Sequence, residues 1–145
     1  MSKGIYSKIA QMLRCSIGIF TTTIMTNNNE AFFETLEQLI REHGITIDRP
    51  KGSAHPRFPD LIYPINYGYI NNTQSQDGDG IDVFLGDDES AEVVGIICTV
   101  DTVKRDSEVK VLYKCTEENI QTAVRIMNNG PMRGILVRRL SGSNS

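Results

Sequence analysis

The sequence predicts an α+β domain: a small, strongly bent sheet or barrel with helices at its flanks. Six short β-prone segments (45–48, 61–70, 81–85, 93–100, 109–113 and 135–137) are separated by Gly, Pro and Asn punctuation. Two further segments repeat their apolar residues at helical spacing. The chain has 145 residues, 39% hydrophobic and 23% charged, which is a globular composition and long enough for one domain with its own core. No internal repeat or low-complexity tract interrupts it.

Residues 1–24 read poorly as part of that domain. Lys3, Lys8 and Arg14 precede a short apolar run, 15–20, then three threonines. The run is too short for a membrane span and lacks the cleavage signal of a secretory peptide. The segment is expected to be a leader or a loosely packed extension, with a single domain over 25–145. The first helix is expected to be capped among Asn27, Asn28 and Asn29, to carry its apolar residues Phe32, Phe33, Leu36, Leu39 and Ile40 at helical spacing, and to end at Gly44. Pro50, Pro56, Pro59 and Pro64 make 50–64 an irregular loop. The second helix runs from a cap at Thr116 through Ile120, Ala123, Val124 and Met127 to the Asn-Asn-Gly-Pro stop at 128–131.

Charge is unevenly placed. The net charge is −3, which argues against non-specific nucleic-acid binding. Yet 58–103 contains nine acids and no Lys or Arg, while the rest of the chain carries +6. An acidic block between basic borders is either a solvated face or a site for divalent cations and a polyanion. Three cysteines, Cys15, Cys98 and Cys115, show no paired spacing and fit a reducing, cytoplasmic compartment.

The densest chemistry lies in Asp77-Gly78-Asp79-Gly80-Ile81-Asp82. Three carboxylates in six residues, loosened by two glycines, can converge on a hard cation such as Mg²⁺, which takes oxygen ligands and retains water. An EF-hand is excluded because Ile81 and Asp82 stand where that loop needs an acid and a glycine. A calcium β-roll needs stacked turns, and only one is present. An ordinary Asp-Gly turn between strands remains the plain alternative.

The acidic run, together with the preceding Tyr63-Pro64-Ile65-Asn66-Tyr67-Gly68-Tyr69-Ile70, resembles the paired motifs of soluble family I inorganic pyrophosphatases. The resemblance extends over about 45–113. It implies a five-stranded, OB-like barrel and Mg²⁺-dependent hydrolysis of pyrophosphate to two phosphates, with Mn²⁺ as the alternative ion. By the same resemblance Asp77 and Asp82 match metal ligands, Asp79 matches the base near the attacking water, and Tyr67 matches a phosphate-contacting tyrosine. Glu108-Val109-Lys110 matches a family Asp-x-Lys ending, with Glu108 as metal ligand and Lys110 as phosphate ligand. Asp101 matches a further metal-binding aspartate, although two extra residues intervene and Asp106 competes for the place. Arg49 and Arg57, with Lys51, are the nearby cations for substrate.

The chain also departs from the family pattern. Gly80 stands where the family usually has Pro or another residue, a change expected to loosen the loop. A hairpin between Arg57 and Tyr63 is missing, and the C-terminal Tyr-Lys pair has no counterpart. Arg133, Arg138 and Arg139 are the cations available to replace that pair. The expectation is a shortened pyrophosphatase whose partner is pyrophosphate, compatible with self-association and with no nucleic-acid or membrane role. The rival is a non-catalytic module that keeps the metal and phosphate pocket.

Overall fold

The computed structural model describes residues 19–141, and the side chains of 27–141. Residues 1–18 of the expected leader lie outside the described residues. Two units divide the chain: one spans Phe33–Arg139, and the other takes in the described residues before and after it. Everything below concerns the 33–139 unit unless stated.

In order along the chain come α1 (Ile19–His43), β1 (Ile45–Arg49), β2 (Asn66–Ile70), β3 (Ile81–Leu85), β4 (Val93–Asp101), β5 (Asp106–Tyr113), α2 (Glu117–Ile126) and β6 (Met132–Arg138). The strands form one mixed sheet ordered β1-β2-β3-β5-β4-β6. All neighbours are antiparallel except β3 and β5, which run parallel. The α+β class with flanking helices is as expected. The sheet has six strands where the family resemblance implied five, and no pairing of β1 with β6 closes it among the described residues.

Helix α1 begins at Ile19, so Asn27–Asn29 lie within it and do not cap it. Its C-terminus is as the sequence indicates. Gly44 adopts φ +73° and its N–H donates to the Ile40 carbonyl at 2.8 Å, a glycine stop that a residue with a Cβ adopts only with strain. Helix α2 starts on a reciprocal cap. Thr116 Oγ1 accepts from Asn119 N, and Asn119 Oδ1 accepts from Thr116 N. Strand β2 is shorter than expected, because Pro64 has no N–H for a ladder and 61–65 joins only the isolated bridge Ala54–Ile62.

Strand pleating sends alternate residues to opposite sides of the sheet. One side carries Ile70, Val83, Ile96 and Val111, which pack with Phe33, Leu36 and Ile40 of α1. The other carries Phe84, Ile97 and Leu112, which pack with Ile120, Ala123 and Met127 around α2. An ion pair fixes the first side at its rim: Glu37 Oε1 accepts from Arg139 at 2.6 Å and from Val93 N at 2.9 Å. Arg138 forms a two-pronged pair with Glu117, and this guanidinium holds the exposed Glu117 carboxyl down to about 2.

Phe33 is 1% exposed and has the largest side chain that α1 contributes to the core. Phe33→Ala should therefore cost about 3–5 kcal/mol of unfolding free energy. Urea denaturation is the measurement, and a cost below about 1 kcal/mol would mean that the helix is not a core element.

Candidate functional site

The α2 side of the sheet is apolar only over part of its extent. Its other end is charged. Asp82 on β3 lies in register with Lys110 on β5, and Glu108 is two residues before Lys110, hence on the same side. Lys110 Nζ donates to both Asp82 Oδ2 and Glu108 Oε2. The Lys110 and Glu108 side chains are each 5% exposed, and Asp82 is 23% exposed. Burial alone would lower the Lys110 pKa, but the pull of Asp82 and then Glu108 outweighs it and raises the value. Glu108 Oε1 is also buried and has no hydrogen-bond partner. An unsatisfied carboxylate oxygen in such a place is costly and calls for a cation or water.

Two tyrosines and an arginine border this cluster. Tyr67 on β2 stacks between Tyr63 and the edge of Phe84, with ring centroids 5.9 and 4.8 Å away. Burial first, and the neighbouring Asp82 carboxylate second, push its phenol well above the ordinary tyrosine range. Arg49 is brought opposite Tyr67 by a bulge in β1. Ile47 pairs with Gly68 and Arg49 with Tyr67, so Asp48 is the extra residue. The strands meet so closely there that a Cβ on Gly68 would come within 1.9 Å of the Thr46 carbonyl oxygen. Arg49 donates to the Asp48 carboxylate at 3.3 Å and also lowers the Tyr63 phenol against the larger, raising effect of burial.

The acidic loop folds on itself before it enters β3. Ser75 Oγ and Asp79 N both donate to Asp77 Oδ1, at 2.6 and 3.1 Å. Those two bonds, in that order, hold the Asp77 carboxyl below its usual value, and Glu108 is near enough to contribute. Gly78 supplies φ +88° at the turn. Gly80 is a packing requirement and not merely a loosened link, because a Cβ there would come within 2.8 Å of both Tyr69 Cδ2 and the Ile70 carbonyl oxygen.

The structure thus brings Asp82, Glu108, Lys110 and Tyr67 together, with Asp77 near Glu108 and Arg49 opposite Tyr67. Asp79 sits exposed on the same loop. Asp101 shares the side but is engaged at the β4–β5 turn, where its Oδ1 accepts from Val103 N and Lys104 N at 2.8 and 3.0 Å. Asp106, the rival for that place, stands opposite it in the register. Arg57 is exposed, and its backbone N–H donates to His55 Nδ1 at 3.1 Å. The three C-terminal arginines have partners of their own in the structure. Arg138 and Arg139 are held by Glu117 and Glu37, and Arg133 donates to the Gly130 and Met132 carbonyls. Tyr63 is the member that sequence reasoning left without a role; its i, i+4 spacing to Tyr67 in an extended, Pro-containing segment was the available signal.

Burial pushes the Cys115 thiol up to about 12, which keeps it protonated and a poor nucleophile. A separate small cleft lined by Lys51, Ile65, Leu85 and Asn119 shares no residue with the Asp82–Lys110–Glu108 cluster.

A sequence model of the family described as Inorganic Pyrophosphatase matches residues 40–130, more than half of the chain. The chain belongs to the inorganic pyrophosphatase family. An inorganic pyrophosphatase of Yersinia pestis is 52% identical over 42 residues, which is 27% of this chain and 24% of that protein. The match therefore spans about a quarter of the relative's length. Among solved structures, an inorganic pyrophosphatase from Neisseria gonorrhoeae aligns with TM-score 0.47 and 22% identity, covering 63% of this chain and 80% of that one. One from Helicobacter pylori aligns with TM-score 0.45 and 15% identity, covering 65% and 81%.

Members of this family are generally dependent on a divalent metal. The donors here suit a hard cation: carboxylate oxygens only, one of them buried and unpartnered. As the side chains stand, however, no three His, Cys, Asp or Glu among the described residues share a metal-holding geometry. The positive charge between Asp82 and Glu108 is the Lys110 ammonium.

The raised Tyr67 value has a measurable sign. In the unfolded chain a phenol ionises near pH 10, whereas in the fold it resists ionisation. The stability it contributes is complete below about pH 10 and is lost as pH rises through the folded value. Tyr67→Phe should cost about 0.5–1.5 kcal/mol at pH 8 and should lose less further stability than wild type at pH 11. Urea unfolding of both proteins at the two pH values is the check. Equal alkaline losses would place the Tyr67 hydroxyl in solvent.

Proposed function

We propose that this chain hydrolyses inorganic pyrophosphate to two phosphates with the help of Mg²⁺, at the charged end of the α2 side. The observation that carries this reading is the buried Asp82–Lys110–Glu108 cluster, with one carboxylate oxygen left unpartnered, inside the segment matched to the family. Asp77, Asp82 and Glu108 would hold the metal, and Asp101 would offer the carboxylate oxygen that its turn does not use. When bound, the ion lowers the pKa of coordinated water and neutralises phosphoryl oxygens.

The chain's own residues have separate tasks. Lys110 and Arg49 bind phosphate oxygens, and Tyr67 orients the same group from its packed ring. Arg57, exposed on the Pro-rich loop, reaches the outer phosphate. Asp79 accepts a proton from the attacking water as its oxygen bonds to phosphorus and the bridging P–O bond breaks. The exposed position of Asp79 leaves it in contact with solvent water, as a base for hydrolysis must be. The family name of the matched relatives supports pyrophosphate as substrate. Among the described residues no helix is long and apolar enough to cross a membrane. Cys98 and Cys115 are free thiols, which supports a cytoplasmic location.

One observation favours the rival, a non-catalytic module that binds metal and phosphate. All three spare C-terminal arginines are engaged away from the cluster. Phosphate release from pyrophosphate with Mg²⁺, with and without chelator, discriminates the two. Asp79→Asn should lower kcat by on the order of 10²-fold or more while leaving Mg²⁺ affinity nearly unchanged. Lys110→Met should act mainly on KM, because a phosphate-binding cation works in the ground state as well. Equal, small rates in wild type and Asp79→Asn would leave the binding module standing.

Asp77→Asn and Asp82→Asn should each weaken Mg²⁺ binding in calorimetric titration, since an amide is a poorer ligand for a hard cation. Unchanged affinity in both variants would reduce 77–82 to an ordinary turn.

A further inference from the structure

Lys110 stands where two different cations have a claim. Its ammonium is buried and donates to Asp82 and Glu108, which come from adjacent parallel strands. The second oxygen of Glu108 is buried without a partner, and Asp77 lies near the same carboxylate. Arg49, opposite Tyr67, is turned to Asp48. The acidic group thus has one ammonium in contact with it among the described residues, and that single charge leaves it under-neutralised.

The residue types make the clamp particular to this chain. Glu108 and Lys110 are two apart on one strand and project to the same side, so carboxylate and ammonium meet within a single strand. A divalent ion held by Asp82 and Glu108 could not coexist with an ammonium between them, because two positive charges in a water-poor site repel strongly.

We propose that Lys110 is a built-in counter-cation that holds Asp82 and Glu108 in the metal-free chain and must be displaced when a divalent ion binds. Displacement turns Lys110 from an ion-pair partner into a free phosphate-binding cation, so the anion site is completed only after the metal arrives. This rests on the reading of Asp82 and Glu108 as metal ligands and adds an order of events to it. Lys110 acts toward the metal as a positioning residue and a competitor, and not as a ligand.

The consequence runs opposite to that of an ordinary site residue. Lys110→Met should lower the melting temperature in excess EDTA by about 5 °C or more and recover most of it in saturating Mg²⁺. Calorimetric titration with Mg²⁺ alone, without substrate, should show affinity tighter than wild type by roughly tenfold or more, the scale of one ion-pair interaction. Unchanged or weaker Mg²⁺ affinity in this variant would overturn the proposal. The wild-type chain provides a second measurement should the variant not fold. The ¹⁵N-labelled Lys110 ammonium should give slowly exchanging, hydrogen-bonded protons in EDTA and lose them on Mg²⁺ saturation; protons that persist at saturation would also overturn it. A wild-type chain that releases no phosphate, while Lys110→Met still binds Mg²⁺ more tightly, would end the hydrolase reading and support the displacement. Hydrolysis by wild type with no gain in metal affinity would end the displacement alone.

Discussion

The parallel contact between β3 and β5 sets the register of Asp82 against Lys110, and the charged end of the sheet depends on that register. The chain leaves β3, passes through β4, and returns with β5 inserted between the two. A one-residue slip in this pairing would turn Lys110 and Glu108 to the opposite side and put Val109 and Val111 in their place. The apolar core resists such a slip, because Val83 and Val111 face α1 while Phe84 and Leu112 face α2. Packing on both sides therefore fixes the geometry of a site to which most core residues contribute no chemistry.

Holding like charges together is the difficulty that the rest of the site manages. Asp77 keeps its charge through local donors, Ser75 and the Asp79 amide. Asp82 and Glu108 are held by Lys110. Ion pairs of this kind are weak contributors to stability when compared with apolar replacements of similar volume, since desolvation opposes them. Their presence in a half-apolar face is the observation on which the proposed site rests.

Backbone devices do the fine positioning. The bulge that inserts Asp48 brings Arg49 opposite Tyr67, and the close approach at Gly68 lets β1 lie against β2 at that point. Thr73 staples the start of the acidic loop: its hydroxyl donates to the Ile70 carbonyl and accepts from Ile81 N, at 2.6 and 2.9 Å. The loop is thereby tied to both strands it connects, and Gly80 fits against Tyr69 without a Cβ to obstruct it.

Local sequence alone determined the α+β class, the approximate places of the six strands, the Gly44 stop, the Thr116 cap, the acidic loop and an apolar helical stripe, from which the fold buries Phe33, Leu36 and Ile40 but leaves Phe32 exposed. Each of these follows from periodicity, capping or turn chemistry, which act over a few residues. The full reach of α1 was not legible in this way, because three asparagines that look like a cap lie within a continuing helix. The tertiary structure decided what depends on distant pairing: Lys110 beside Asp82, Tyr63 stacked on Tyr67, and Arg133, Arg138 and Arg139 bound away from the site. Partners such as Glu37 and Arg139 are separated by 102 positions. No local pattern specifies such contacts, because they form only when the packing of both sides of the sheet has chosen which strands are neighbours.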